Sequence, residues 1–336
     1  MNLYILIVVM LSSYIFTALL RWYALKHDML DHPNIRSSHL IPTPRGGGVA
    51  IVITFLLTLF YTYLFMGISL SVYVGLSGAG AIVAGVGFLD DHKHVAPGFR
   101  LIVHFFSAAW ILIWIGVPKL MIAGFQIDSI WVLTIFYLFY LVWMINLYNF
   151  MDGINGLASV ECVTVSIYSV LILLLLDFKE VELFLPILFA VAVLGFLIWN
   201  FPKAKIFMGD SGSGFIGIML GAFSIYFSVN IPLFYWCWLI LLGVFIVDST
   251  FTLIRRVLRG MKFNEAHRTH AYQIAAKKHD SHFVVTISVI VINTIWLLPI
   301  SLLVAFSSIS GIIGLIVAYV PLLLMAAYIN AGVEDS

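Results

Sequence analysis

Eleven apolar runs divide this 336-residue chain, and they constrain its fold more than any other feature. A membrane-spanning helix needs about 20 apolar residues, and these runs are continuous rather than alternating, which argues against membrane strands. Only 10% of the residues are charged, whereas soluble domains have about 25%, so a soluble fold could not cover its core. The sequence therefore predicts an all-α polytopic membrane protein. The runs are Leu3–Leu20, Val49–Met66, Val72–Leu89, Leu101–Val117, Trp131–Leu147, Leu157–Leu176, Leu183–Trp199, Phe215–Val229, Leu233–Ile254, Phe283–Val304 and Ile312–Ile329.

Basic residues are distributed unevenly between the gaps that separate these runs. Of the 17 Lys and Arg residues, all but Lys119 and Lys179 lie in odd-numbered gaps, after runs 1, 3, 7 and 9. Because Lys and Arg mark the cytoplasmic side, we expect the odd-numbered gaps in the cytoplasm, the N-terminus outside and the C-terminus inside. We expect the first run to be a retained span rather than a cleaved signal, and residues 1–336 to form a single integral membrane domain.

Five polar clusters occupy the odd-numbered gaps, one after each of runs 1, 3, 5, 7 and 9. Since those gaps share one membrane face, the clusters can converge there into a single cytoplasmic site. The clusters are Pro42–Gly48, Asp90-Asp91, Asn149–Gly153, Met208–Ser213 and His267–His270. The three glycines of the first cluster permit close backbone approach.

Two of these clusters carry acidic side chains. Asp90 and Asp91 close the third run at the negative end of its helix dipole, where adjacent carboxylates are poorly placed unless a cation joins them. Such hard oxygen ligands suit Mg²⁺, and a solvated helix end is the alternative. Asn149, Asp152 and Asn155 alternate with glycines, which is typical of a tight turn that presents amides. The turn either recognises a nucleobase or is purely structural.

The last two clusters suit phosphate groups. Glycine and serine flank Asp210 where the eighth run begins, and N–H groups at a helix N-terminus bind anions; capping by Asp210 is the alternative. His267, Arg268 and His270 lie in the most basic loop and suit a diphosphate, although basic residues there also set topology or bind lipid headgroups. Together the clusters favour phosphoryl transfer from a nucleotide-linked donor to a membrane acceptor.

Several short motifs, in this order, resemble those of the polyprenyl-phosphate N-acetylhexosamine-1-phosphate transferases, the MraY/WecA-like enzymes of glycosyltransferase family 4. They are Asp31-His-Pro-Asn-Ile-Arg36, Pro42-Thr-Pro-Arg-Gly-Gly47, Asp90-Asp91, Asn149-x-x-Asp152-Gly153 and Phe207-Met-Gly-Asp210-x-Gly-Ser213, and the resemblance runs to Gln273. It implies transfer of a sugar 1-phosphate from a UDP-N-acetylhexosamine to undecaprenyl phosphate, with release of UMP. It further implies Mg²⁺, or Mn²⁺ in its place, as cofactor, and the bacterial cytoplasmic membrane as location. Nucleic acid is not expected as a partner, and a homodimer is left open.

The motifs and the resemblance together give the candidate site residues. Asp210 and Asp91 are expected to hold the metal ion, and Phe207 and Asn200 to contact the uridine. Candidate catalytic residues are Asp90, Asp91, Asp152, His267 and His270, and candidate substrate-binding residues are Thr43, Arg45, Asn149, Asn155, Asn200, Phe207, Gly209 and Arg268.

The sequence departs from the family pattern in two places. Asn155 stands where the family often has Asp, and His267-Arg-Thr-His270 stands where the peptidoglycan enzymes have three consecutive histidines. The second departure is similar to the WbpL-like branch that initiates O-antigen synthesis. It implies an N-acetylated 6-deoxyhexosamine, with UDP-N-acetylglucosamine as the alternative donor.

Two other activities fit the sequence less well. A secondary transporter for an anionic solute would place its ionisable residues within the runs, where only His104, Glu161 and Asp248 occur. A CDP-dependent lipid phosphotransferase would need a motif of spaced aspartates that the chain lacks.

Overall fold

The computed structural model describes residues 3–33, 41–93, 95–122, 124–261 and 267–333; Arg36, at the end of the first family motif, and Lys262 of the basic loop lie outside these ranges. The helices are α1 Leu3–Lys26, α2 Gly48–Phe65, α3 Leu70–His92, α4 Pro97–Ile115, α5 Ile130–Met151, α6 Leu157–Leu175, α7 Phe184–Asn200, α8 Asp210–Asn230, α9 Phe234–Leu241, α10 Gly243–Leu258, α11 Ala271–His279, α12 His282–Ile292, α13 Leu298–Ala305 and α14 Gly311–Tyr328. Strand β1 Leu30–Asp31 pairs antiparallel with β2 Thr43–Pro44, and β3 Leu120–Ile122 pairs with β4 Phe125–Ile127.

The helices confirm the polytopic membrane architecture. In the described ranges, ten helical segments are long and apolar enough to span a bilayer, and the bent pair α9–α10 brings the number to eleven. Lipid tails cannot hydrogen-bond the backbone, whereas a helix pairs its backbone N–H and C=O groups within itself. Sidedness of the two termini remains a prediction from the basic residues.

The ninth run differs from the straight span that its composition predicts. It breaks between α9 and α10 with a bend of 69°. Gly243 lies at the break, where an added Cβ would approach the Tyr319 ring to 3.2 Å. Glycine weakens a helix, and it allows this close packing. Hydropathy does not report such bends, because the mean hydropathy of a run is the same whether its helix is straight or bent.

The tenth run is continuous but contains a wide turn. A π-helical turn, Asn293–Leu297, joins α12 to α13. Pro299, the second residue of α13, lacks an N–H, and its ring conflicts with the carbonyl four residues earlier. A π turn accommodates that conflict without ending the helix, so the whole segment still spans as one unit.

Helix α8 lies at the centre of the bundle. Of its most apolar 18-residue stretch, 89% of residues are buried, against 17% for the peripheral helix α1. Helices α2, α3 and α5 pack around α8. The helix begins at Asp210, five residues before the predicted run. Its N-terminus therefore lies among the polar clusters that precede α2, end α3 and follow α5.

The start of α2 crosses the start of α8 at very short range. A Cβ added to Gly48 would lie 2.3 Å from Gly212 Cα, so only glycine permits this crossing. Gly47 N–H donates to Phe207 O at 2.9 Å, and Gly48 N–H donates to Met208 O at 2.8 Å. The predicted close approach of the glycine-rich cluster is thus confirmed, and its partner is the backbone before α8.

Candidate active site

A polar cavity of about 310 Å³ lies beside the N-terminus of α8 and collects side chains from four of the five polar clusters. The fifth cluster, His267–His270, lines an adjoining groove. The structure therefore confirms that the clusters meet in one region. The cavity is lined by Asp31, Arg45, Asp91, Asn149, Asp152–Asn155, Asn200, Phe207–Asp210, Ser213, Gln273 and His282.

Asp91 is buried between Arg45 and the first turn of α8. One oxygen accepts hydrogen bonds from Arg45 Nη2 at 2.7 Å and Asp210 N at 3.0 Å, and the other accepts from Ser211 N at 3.2 Å. The side chain is 1% exposed, which excludes a solvated helix end. Asp91 thus caps α8 from α3, at the end of the dipole that favours negative charge.

This cap corrects one prediction and qualifies another. The N–H groups of Asp210 and Ser211 were expected to bind phosphate, but Asp91 already uses them. Asp91 uses three of the roughly four acceptor sites of a carboxylate for protein hydrogen bonds, so its predicted contact with a metal ion is limited to the remaining site on Oδ2. Burial lowers the pKa of Arg45, but the hydrogen bond and charge of Asp91, with the charges of Asp210 and Asp31, outweigh it and raise that pKa.

Arg100 joins the other two acidic side chains at the end of α3 and the start of α8. Its Nη1 donates to Asp90 and lies 3.1 Å from Asp210 Oδ2. Asp90 also accepts a hydrogen bond from Val95 N at 2.8 Å. The cation that the paired aspartates require is therefore supplied by arginine side chains in this structure: Arg100 for Asp90 and Arg45 for Asp91.

Sequence reasoning missed Arg100, which it treated as a topological charge. A signal was present. Arg100 lies in the first turn of α4, the positive end of the helix dipole, where a cation is disfavoured unless anions are close. Asp90, ten residues earlier, supplies one of those anions, and Asp210 supplies the other. Gln273, Asn146 and His282 were also missed; each lines the polar cavity or the groove.

Asp152 ends α5 and faces the other acids across the polar cavity. Burial, and then the negative charges of Asp210 and Asp91, raise the pKa of Asp152 well above its usual value. Bringing a cation to Asp152 and Asp210 would relieve this repulsion. Mg²⁺ commonly binds through one or two carboxylates and keeps several waters. The donor set fits such an ion.

The structure does not show a preformed metal cage. Within the described ranges, no three His, Cys, Asp or Glu side chains meet as metal ligands. The fit is therefore to an open site completed by substrate and water, with Asp210 and Asp152 as its protein ligands. Binding of Mg²⁺ remains a prediction.

Asn200 and Asn155 shape the floor of the polar cavity. Asn200 Oδ1 accepts from Gly156 N at 2.7 Å, and its Nδ2 donates to Ile206 O at 2.9 Å. Asn155 Nδ2 donates to Pro202 O at 3.2 Å. Both amides therefore brace the turn before α6 against the segment after α7. Their cavity-facing atoms remain the predicted contacts for uridine.

Gly209 and Phe207 form one wall. Gly209 has a φ of +79°, and an added Cβ would lie 2.7 Å from Asp91 Oδ2, so no other residue fits without strain. Phe207 N–H donates to Pro44 O at 2.8 Å, which fixes the backbone that carries the ring. The ring lines the cavity, where stacking on a base is predicted.

A larger groove, of about 670 Å³, adjoins the polar cavity along α4, α5 and α10. Most of its lining is apolar, but Arg100, Asn146 and the two histidines lie on it. Asn149 and Gln273 line both the groove and the polar cavity. The groove is lined by Pro97, Arg100, Leu101, Phe105, Phe139, Val142, Trp143, Asn146, Asn149, Phe150, Leu253, His267, His270 and Gln273.

Asp248 holds the histidine cluster in place. It is buried on α10 and accepts hydrogen bonds from Ala271 N at 2.8 Å and Tyr272 N at 2.9 Å, at the start of α11. His270 Nδ1 lies 3.3 Å from Asp248 Oδ1. Asp248, one of the two carboxyl groups within the runs that a transporter could use, is thus a helix cap and a histidine partner.

His267 lies beside His270, with ring centroids 4.9 Å apart. Burial, followed by the charges of His270 and Arg256, lowers the pKa of His267 to about 3, against an opposite effect of Asp248. His267 is therefore neutral near pH 7. It can hydrogen-bond a substrate, but it does not contribute the positive charge expected for gripping a diphosphate.

The structure does not bring two of the predicted substrate-binding residues to the lining of either cavity. Thr43 is buried and its hydroxyl donates to Ile41 O at 2.9 Å. Arg268 lies in the histidine segment but lines neither the polar cavity nor the groove. Thr43 thus stabilises strand β2, which leads directly into Arg45.

The family comparison agrees with the motifs. Residues 73–228 match the model of Glycosyl transferase family 4. This stretch contains Asp90, Asp91, Asp152 and Asp210. The match and the relatives below support the resemblance to MraY/WecA-like enzymes, and they do not resolve the WbpL-like branch.

The chain is similar to curated proteins from several bacteria. It is 28% identical to "Probable undecaprenyl-phosphate N-acetylglucosaminyl 1-phosphate transferase" of Bacillus subtilis, over 87% of this chain and 85% of that protein. It is 27% identical to "Undecaprenyl-phosphate alpha-N-acetylglucosaminyl 1-phosphate transferase" of Thermotoga maritima, over 79% of each. It is 30% identical to "Decaprenyl-phosphate N-acetylglucosaminephosphotransferase" of Mycolicibacterium smegmatis, over 63% of this chain but only 56% of that protein.

Proposed function

We propose that this protein transfers an N-acetylhexosamine 1-phosphate from a UDP-sugar to a polyprenyl phosphate, undecaprenyl phosphate in the first instance, and releases UMP. The observation that carries the proposal is the junction of two unlike cavities. An acid-lined polar cavity and a mainly apolar groove share Asn149 and Gln273. A soluble nucleotide and a membrane lipid need two such sites that meet where phosphates react.

The polar cavity suits the nucleotide sugar. Phe207 offers a ring for the uracil, as the family resemblance implies, and Asn155 and Asn200 offer amides beside it. Arg45, a permanent cation, lines the same cavity and is held there by its hydrogen bond to Asp91. That charge is placed to receive a phosphate of the donor.

The groove suits the lipid acceptor. Its aromatic and aliphatic lining matches a polyprenyl chain, which can enter the groove from the apolar bilayer without meeting unpaired polar groups. Arg100 and Asn146 lie where the groove reaches the acidic side chains. Arg100 can therefore exchange part of its contact with Asp90 and Asp210 for the lipid phosphate, and so orient that phosphate towards the donor.

The reaction needs little proton transfer. A phosphate monoester has a second pKa of about 6, so the acceptor is mostly dianionic near pH 7. Its oxygen attacks the β-phosphorus of the UDP-sugar, forms the new P–O bond, and breaks the bond from that phosphorus to the bridging oxygen, which leaves with UMP. We assign Asp90 to position the acceptor through Arg100, while Asp210 and Asp152 hold Mg²⁺. Bound Mg²⁺ supplies positive charge to the diphosphate.

We further propose that the site faces the cytoplasm of a bacterial inner membrane. The support is the concentration of Lys and Arg in the gaps that carry the site. Nucleotide sugars are made in that compartment.

The identity of the sugar on the UDP donor is a separate part of the proposal. The relatives are named for N-acetylglucosamine, whereas the segment His267–His270 resembles the branch that uses 6-deoxy sugars. The test is a panel: purified protein, undecaprenyl phosphate and Mg²⁺ with UDP-N-acetylglucosamine, UDP-N-acetylgalactosamine and UDP-N-acetylfucosamine, with UMP measured. Release of UMP that depends on the lipid supports the reaction. No release with any donor, from folded protein, refutes it.

The metal assignment has its own test. Asp210→Asn keeps the shape of the side chain and removes its charge, so we expect UMP release to fall about a hundredfold or more, the loss of one charged contact in the transition state. Gln126→Ala, on the β3–β4 hairpin away from both cavities, is the matched control. An Asp210→Asn variant with normal Mg²⁺-dependent activity would show that Asp210 does not hold the ion.

A further inference from the structure

A buried carboxyl group lies outside both cavities. Glu161, on α6, is fully buried, and so is Asn293, the first residue of the π turn between α12 and α13. Asn293 Nδ2 donates to Glu161 Oε2 at 2.6 Å and to Thr164 Oγ1 at 3.0 Å. Among the described residues, no Lys, Arg or His forms an ion pair with Glu161.

The remaining atoms of this pair indicate the protonation state of Glu161. Both Glu161 Oε1 and Asn293 Oδ1 are buried and have no hydrogen-bond partner. An ionised carboxylate can only accept hydrogen bonds, whereas a carboxylic acid also donates one. A proton on Oε1 would turn that oxygen into a donor, and Asn293 Oδ1, on the amide that already contacts Glu161, is an acceptor that lacks one. It would also remove an uncompensated charge from a membrane-spanning segment, where such charges are strongly disfavoured.

The same two helices hold the turn that lines the polar cavity. Thr286, two turns before Asn293, donates from Oγ1 to Asn155 O at 2.9 Å, and Asn155 N–H donates to His282 Nδ1 at 3.4 Å. A second polar contact lies beyond the pair, where Tyr168 OH and Thr294 Oγ1 are 2.5 Å apart. Polar contacts therefore follow the whole α6–α12 interface, from the cavity into the π turn.

We propose that Glu161 is a neutral carboxylic acid whose pair with Asn293 fixes the register of α12 against α6 and so positions the Asn155 turn. Glu161 touches neither cavity, so it is a positioning residue and not a catalytic one. A carboxylic acid and a carboxamide can bond through two hydrogen bonds at once, which specifies one register. An ionised glutamate could accept a hydrogen bond from Asn293 Nδ2 but could not donate one to Asn293 Oδ1.

Infrared difference spectroscopy of the purified full-length protein tests the protonation state. Glu161→Gln mimics the neutral acid in shape and in hydrogen bonding. At pH 7.5 the difference between wild type and Glu161→Gln should show loss of one protonated-carboxyl C=O band. Glu180→Gln removes an exposed carboxylate and should show loss of carboxylate bands only. Loss of a carboxylate band in Glu161→Gln would overturn the proposal.

Thermal unfolding in detergent tests the two-way pairing. Glu161→Gln should unfold within about 2 °C of wild type. Glu161→Leu and Asn293→Leu each leave a buried amide or acid unpaired and should unfold several degrees lower. The double variant should lose clearly less than the sum of the two, since removing both partners leaves no orphaned group. A Glu161→Gln variant as unstable as Glu161→Leu, or strictly additive losses, would contradict the pairing.

A kinetic measurement tests positioning, and this arm alone rests on the proposed function. Glu161→Leu should raise KM for the UDP-sugar about threefold or more and change kcat less than twofold, because it shifts a binding wall and not the reacting groups. Glu161→Gln should restore wild-type KM. An unchanged KM with reduced kcat would refute positioning. Absence of UMP release by wild type would refute the function and leave the two other measurements valid.

Discussion

Replacing Arg100 by methionine tests the link between the acidic cluster and the lipid groove. The change keeps most of the aliphatic length and removes the guanidinium that contacts both Asp90 and Asp210. We expect lower kcat/KM, because Asp90 then lacks its cation and the groove lacks its positive charge. Arg100→Lys should be intermediate, since lysine keeps the charge but not the planar fork.

The size of the effect follows from burial. The Arg100 side chain is 31% exposed, and the partners Asp90 and Asp210 are 9% and 32% exposed. Breaking a fully buried pair costs about 3–5 kcal/mol, and breaking an exposed pair costs about 0–1 kcal/mol. In the proposed complex Arg100 makes the same kind of half-buried contact with the lipid phosphate, so we assign an intermediate value of about 2 kcal/mol to that contact in the transition state. Its loss corresponds to roughly a thirtyfold lower kcat/KM, at about 1.4 kcal/mol per factor of ten.

The assay is UMP release with the lipid and the UDP-sugar varied separately. Because Arg100 lines the groove and not the polar cavity, KM for the polyprenyl phosphate should rise more than KM for the UDP-sugar. Arg21→Met removes a cation whose Nε donates to Lys205 O, away from both cavities, and should change neither constant more than twofold. If Arg100→Met changes the two KM values no more than Arg21→Met does, or raises only KM for the UDP-sugar, the assignment of Arg100 to the acceptor is wrong.

Three further changes test the frame of the site. Asp91→Asn should lower the unfolding midpoint by roughly 4 °C, since it loses the buried charge and at least one of three buried hydrogen bonds, about 3 kcal/mol, in a chain of 336 residues; an unchanged midpoint would contradict the cap. Gly48→Ala should cost about 1–3 kcal/mol, because its Cβ would lie 2.3 Å from Gly212 Cα, whereas Gly85→Ala on α3 meets nothing within 4 Å and should be neutral or slightly stabilising; equal effects would refute the close crossing. The pKa of His267 in the folded state, about 3, lies below the unfolded value of about 6.5, so the unfolded chain binds the proton first and stability falls as pH drops below 6.5. Acidification from pH 7 to 5 should therefore destabilise wild type more than His267→Gln, by about 1 kcal/mol after allowance for solvent screening; identical pH profiles would show that His267 titrates normally.

The continuous apolar runs were sufficient to predict the bundle and most of its helix positions. It failed where helices change direction. The bend before Gly243 and the π turn before Pro299 lie inside segments that have the hydropathy of membrane spans, and composition alone does not distinguish them from straight helices. It also placed the start of α8 late, because Asp210–Gly214 is polar or small although it is helical.

Candidate site residues were predictable where several residue types coincide in one gap. Asp91, Asp152 and Asp210 fall into that class, and all three line the cavity. Single residues in ordinary positions were not predictable by the same reasoning. Arg100 looked like a topological charge, and Asp248 looked like an isolated intramembrane acid, because their partners are distant in the sequence. Arg100 is 10 residues from Asp90 and 110 from Asp210, and Asp248 is 23 residues from Ala271.

By itself the sequence determined the membrane class, the number of spans and the set of polar clusters on one face, because hydropathy and charge act locally along the chain. Only the tertiary structure decided which polar groups pair. It gave the N–H groups of α8 to Asp91, placed Arg100 between Asp90 and Asp210, and turned the histidine cluster towards an apolar groove. The physical reason is that hydrogen bonds and ion pairs depend on distances of about 3 Å between residues, and packing of α2, α3 and α5 around α8 sets those distances.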